Sequence, residues 1–173
     1  MDNNVQDRIN RLNNSEITIE PEWTWKIYEH IQDVMEANKW ESEEVIENLS
    51  EKLRTIYLLT DLQSTILNDG FFSVFYNESL HKIKQLRRAI DLAGLKVAGD
   101  LYDEAFQLVK SKFTWTDEHT NCYSQIKTDP REWFGDEITN RLEEIQDQIC
   151  GIFFDEWRIS KKFEKLLVPY FKS

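Results

Sequence analysis

The sequence predicts an all-α fold: a single compact multi-helix domain with one long ordered loop or insertion. Three observations predict it. Apolar residues recur at three- and four-residue spacing through most of the chain, which is the period of a helix with one buried face. Only 5 glycines and 3 prolines punctuate 173 residues, so a few loops between long helices are favoured over many short strands. Convincing period-two alternation is absent.

Met1–Asn14 is polar and is expected to precede a helical domain spanning 15–173. Pro21 suits a first helical turn, and Trp23, Ile27, Ile31 and Val34 follow as an apolar stripe with Met35 beside it. Glu29, Asp33 and Glu36 lie off that stripe. Ser42 can cap a short helix carrying Val45, Ile46 and Leu49. Ser50 can cap the next, which runs through Leu53, Ile56, Leu59, Leu62 and Ile66 and stops at Asn68-Asp69-Gly70. Ser79 can cap a helix with Ile83, Leu86, Ile90 and Ala93, which Gly94 ends in the left-handed conformation. A helix from Lys96 to about Lys112 places Val97, Leu101, Ala105 and Leu108 on one face. From Phe113 to Phe134 the period disappears, yet Trp115, Tyr123 and Trp133 are too apolar for a free linker, so an ordered loop is expected. Ile138–Phe154 and Ile159–Phe171 read as two further helices, or as one with a kink near Gly151.

Hydrophobic residues at 40%, with 13% aromatic, supply a real core and exclude a disordered polyanion. The formal charge of −11 is unevenly spread. Eleven acids against Lys26 and Lys39 fall between Glu16 and Glu51, and nine against Arg131 and Arg141 between Asp129 and Glu156. Ser79–Lys96 and Arg158–Ser173 are each net positive by four. Regional charge speaks of partners more than of folding. Direct nucleic-acid binding and anionic membranes are disfavoured, because both need clustered Lys and Arg. Met1–Asn14 has no apolar signal-peptide core and no stretch approaches the length of a membrane span, so a cytoplasmic protein is expected. Cys122 and Cys150 read as reduced thiols.

Little in the sequence nominates catalysis. His30, His81 and His119 are scattered, without a paired metal motif. Glu78-Ser-Leu-His81 has the Glu-x-x-His spacing of di-metal bundles, which need two copies where this chain has one. His119 and Cys122 could share a metal or form a nucleophile pair, but further ligands are wanting. There is no G-x-S-x-G elbow, no P-loop and no dinucleotide glycine pattern. No catalytic residue, metal or cofactor is expected. The abundant carboxylates are mostly a solvated face.

One segment carries more. Asn68-Asp69-Gly70-Phe71-Phe72-Ser73-Val74-Phe75-Tyr76-Asn77 closes one amphipathic helix and opens a short aromatic one. It resembles the DMP-like DNA-mimic family, also called the DUF4375 domain, in which a helix leads into an Asn-Gly-Gly-Phe turn followed by aromatics and an Asn. Asn68, Gly70, Phe71, Phe75, Tyr76 and Asn77 fit that pattern. Leu86-Arg87-Arg88-Ala89-Ile90, the small-residue stretch Ala98–Leu108 and Leu166-Leu167-Val168-Pro169-Tyr170 are also similar. Asp69 stands where the family has Gly, Ser73 where it often has Gln, and Thr65 where it often has Glu. Read from the residues, the motif is structural: Gly70 allows a positive φ or a close approach, Phe71 and Phe75 anchor a core, and Asn77 can cap the next helix.

The resemblance implies an all-helical domain whose named member imitates DNA and occupies DNA-binding proteins. The partner it implies is a DNA-binding protein with a basic face, a regulator or a nuclease. Carboxylates four residues apart on a helix rise about 6 Å, comparable to successive phosphates along one strand. Glu43, Glu47 and Glu51 have that spacing, as do Glu29 and Asp33. The candidate partner-binding carboxylates are therefore Glu29, Asp33, Glu36, Glu43, Glu44, Glu47 and Glu51 in the first acidic segment, and Asp136, Glu137, Glu143 and Glu144 in the second. An immunity protein that neutralises a toxin, and an enzyme with a site around His119 and Cys122, are the competing readings. Trp40, Trp115 and Trp133, if exposed, would build a homodimer face.

Overall fold

The computed structural model describes residues 3–39, 42–154 and 161–172. Helix α1 (Asn3–Asn13) sets Val5 and Ile9 four residues apart, and both are buried. Its last residue, Asn13, reaches across the fold. The Asn13 side chain accepts from the Ser50 backbone N–H at 2.7 Å and donates to the Asn48 carbonyl at 3.0 Å. The segment that read as merely polar is thus stitched to the middle of the domain.

Helix α2 (Trp23–Ala37) buries Trp23, Ile27, Ile31, Val34 and Met35, the stripe its spacing predicts. Pro21 sits just ahead of it, and Glu22 enters through a left-handed φ of 66°. Helix α3 is short (Ser42–Asn48), and α4 (Glu51–Asp69) follows at once, with the Ser50 hydroxyl accepting from the Leu53 N–H at 3.4 Å. Residues 55–60 of α4 are all buried. A helix covered on every side is central, and α4 packs between α2 and α6 (Leu80–Leu92).

A 3-10 turn (Phe71–Ser73) and a single-turn helix α5 (Val74–Asn77) join α4 to α6. The cap of α6 is Ser79, whose hydroxyl accepts from the Lys82 N–H at 3.2 Å; Asn77 is exposed and does not cap it. Gly94, at φ 71°, ends α6 as expected. Helix α7 (Lys96–Lys110) buries Ala98, Leu101, Tyr102, Ala105 and Val109. The stripe is therefore rotated from the predicted one: Val97 is 65% exposed. Tyr102 decides the rotation, because its ring joins Phe71 and Phe75 while its hydroxyl donates to the Ile83 carbonyl at 3.1 Å.

Residues 113–134 are an ordered excursion. Trp115 packs edge-on to Phe113, the Cys122 N–H donates to the Tyr76 carbonyl at 3.1 Å and the His81 N–H to the Glu118 carbonyl at 2.8 Å. Asp129 caps helix α8 (Pro130–Phe134), and Gly135 turns the chain into α9 (Asp136–Phe153), with Gly151 inside it. Residues 155–160 lie outside the described chain, and α10 (Lys161–Lys172) completes the fold. It packs on α9, then returns to the start: the Phe171 ring meets Trp23 at 5.3 Å and the Tyr170 hydroxyl donates to Thr55 at 3.1 Å. The packing order α2, α4, α6, α7, α9 thereby closes around one apolar core. Among the described residues the fold is all-α, with a lone bridge between Ser79 and Asn121.

Candidate partner-binding surface

Glu43 and Glu47 lie on α3, and Glu51 is the first residue of α4. The cap at Ser50 breaks the helix between them. Each has a partner: two face imidazoles and the third an arginine. A Glu43 carboxylate oxygen lies 2.9 Å from His119 Nδ1, Glu47 lies 3.6 Å from His81 Nε2, and Glu51 accepts from Arg88 at 2.8 Å. The two imidazole rings lie with centroids 4.9 Å apart, tilted by 35°. The cause is topological: α6, which packs on α4, brings His81 and Arg88, and the 113–134 excursion brings His119.

The outer side of α2 is different. Glu29, Asp33 and Glu36 are exposed there. Glu29 accepts from the Trp25 indole N–H at 3.0 Å, whereas Asp33 and Glu36 meet no cation among the described residues. The last turn of α2 holds no basic residue. Carboxylates near a helix C-terminus oppose its dipole, and neighbours three or four apart repel. Stability alone does not ask for this arrangement.

In the second segment Asp136 and Glu137 open α9, exposed and well placed for the positive end of its dipole. Glu143 pairs with Arg131, and Glu144 with Arg141 at 2.6 Å. Arg141 also grips Glu104 at 2.6 Å, which holds that carboxyl below its ordinary range. Glu44 is half-buried. Helices α4, α6 and α7 separate α2 from α9 one way round the bundle, and α10 separates them the other way.

The aromatic motif is gripped from both sides. Gly70 adopts φ 82° and ψ 156°, Phe71 donates its backbone N–H to Gln146 of α9 at 2.7 Å, and Ser73 donates its hydroxyl to the Gly70 carbonyl at 2.6 Å. Phe71 and Phe75 are fully buried and meet edge-on at 5.3 Å. Tyr76 packs near Phe134, and Asn68 donates to Ser64 at 3.3 Å. Phe71, Phe75 and Tyr76 are thus core anchors.

Beside the motif sits a network that no sequence motif announces. Lys82 places its ammonium 2.8 Å from Asp61 and 2.9 Å from Glu78, and Asp61 also accepts from the Tyr28 hydroxyl at 3.1 Å. Burial alone lowers the Lys82 pKa, but the two carboxylates outweigh it and the net shift is upward. A signal existed: Asp61 is the only charge between Arg54 and Asp69, in a run otherwise apolar or neutral.

Trp115 and Trp133 are half-buried against the core, and Trp40 lies outside the described residues. Cys122 is buried, which pushes its thiol up, while a nucleophilic cysteine needs the opposite shift. His119 is engaged with Glu43 instead. Among the described residues no group of His, Cys, Asp or Glu forms a metal cluster, and no helix is long and apolar enough to cross a membrane.

The DMP19-like protein family matches residues 47–173. The chain belongs to that family. The matched region runs from the end of α3 through α10 and contains the aromatic motif and Asp61, Glu78 and Lys82 of the network; α1 and α2, with Tyr28, precede it. No curated protein and no solved structure matches the chain.

Proposed function

We propose that this family member is an acidic binding protein that presents carboxylates in place of DNA phosphates and occupies the basic face of a DNA-binding protein, a regulator or a nuclease. The observation that carries the reading is the exposed row Glu29, Asp33 and Glu36 on α2, which runs toward the helix C-terminus, where Glu36 works against the dipole. Family membership supports it. B-DNA offers about one charge per 1.7 Å of axis, and a groove built for that array attracts a matching row of fixed anions. Asp136 and Glu137 supply a second exposed pair that meets no cation among the described residues. A reducing, cytoplasmic setting suits the two free thiols Cys122 and Cys150.

The test is capture of partners on the immobilised chain at low salt, followed by a salt gradient. Enrichment of DNA-binding proteins that elute as salt rises, and that a DNA duplex displaces, is expected. Retention at high salt that ignores Asp33→Asn with Glu36→Gln sinks the reading.

A further inference from the structure

A cavity of about 600 Å³ opens between α1, the 14–22 connection and α2, with Leu53 of α4 at its base. Every other residue around it precedes the family-matched region. Its volume falls within the range of small-molecule sites, roughly 300–1,000 Å³. The wall is apolar, built from Leu12, Ile17, Trp23, Ile27 and Val34.

One polar feature is unusual for so acidic a chain. Arg8 and Arg11 stand three residues apart on α1, on one side of the helix, and both border the cavity. Neither has a carboxylate partner among the described residues, although Glu16 and Glu20 also border the opening. Glu20 is already held by Lys26 at 2.5 Å.

We propose that this cavity binds a small carboxylic acid with an apolar body, such as a free acyl-chain acid. The chain or ring fills the apolar wall, and the carboxylate takes charge-assisted hydrogen bonds from Arg8 and Arg11. A neutral apolar ligand would leave both arginines unanswered, and an amine would be repelled by them.

The experiment is calorimetry on the full chain with decanoate, decanol and decylamine, paired with nitrogen-15 spectra of the tryptophan indoles. Decanoate is expected to bind, at least about tenfold more tightly than decanol, and to shift the Trp23 indole resonance. Arg8→Gln with Arg11→Gln should remove that preference for the acid while leaving the melting temperature and decanol binding unchanged. Because α1 packs on the core, Ile17→Trp in the connecting segment is the second variant, filling the cavity without touching α1, and should abolish binding of both. Equal binding of acid and alcohol, no decanoate binding, or decanoate binding that ignores the arginine pair overturns the assignment. So does uptake of an acidic amphipathic peptide with no uptake of the free acid.

Discussion

Gln146 on α9 holds the backbone N–H of Phe71 at 2.7 Å, seventy-five residues away in sequence. This one side chain docks the start of the aromatic motif on the far helix. Gln146→Leu leaves a partly buried N–H without an acceptor and is expected to lower stability by about 1–3 kcal/mol in urea titration. Gly70→Ala should cost a similar amount, because φ 82° with ψ 156° is a conformation reserved for glycine, and an added Cβ would stand 3.2 Å from Gln146 Oε1. The two share a contact, so the double variant should lose less than the sum.

Lys82 is expected to tie α4 to α6. Asp61→Asn removes one of its two carboxylate partners and should cost about 1–3 kcal/mol, measured by chemical denaturation. Replacing both Asp61 and Lys82 by apolar residues should recover part of that loss. A double variant as unstable as the sum of its parts would show that the pair does not act as a unit.

Alkaline pH should unfold the protein early. Burial, and then the Asp61 charge, push the Tyr28 hydroxyl up to about 12, and burial raises Tyr57 and Tyr102 in the same direction. An unfolded tyrosine loses its proton near pH 10. Between about pH 10 and 12 the folded chain therefore holds more protons than the unfolded one, and stability falls with rising pH. Melting temperatures across that window should drop, and less steeply in Tyr28→Phe.

The two sets of acids should answer neutralisation differently. Asp33→Asn with Glu36→Gln relieves repulsion near the α2 C-terminus and is expected to stabilise by about 0.3–1 kcal/mol while weakening partner capture. Neutralising Glu43, Glu47 or Glu51 removes an exposed pair and should cost less than about 1 kcal/mol each. Thermal melts and the capture assay, run together, separate stability from binding.

Local signals in the sequence carried much of the fold. The Trp23, Ile27, Ile31 and Val34 stripe, the caps at Ser50 and Ser79 and the stop at Gly94 are short-range features, and each appears as its spacing predicts. Helix α1 was hidden because Val5 and Ile9 are too few to show a period among Asn, Asp and Arg. The face of α7 was misjudged because Tyr102 is drawn inward by Phe71 and Phe75, which are distant in sequence. Charge was the least legible. The excess on Glu16–Glu51 is countable in one dimension, but whether a carboxylate is partnered depends on what lies against it: α6 and the 113–134 excursion bring Arg88 and two histidines to one row, and among the described residues no cation meets Asp33 or Glu36.

His81, His119 and Arg88 mean that each carboxylate of the Glu43, Glu47 and Glu51 row arrives with a neighbour of the chain's own beside it. An approaching cation has to compete with those neighbours, whereas Asp33 and Glu36 on α2 meet no cation among the described residues. A basic groove of the proposed kind would therefore have to displace residents to use that row, and would find the α2 side already clear.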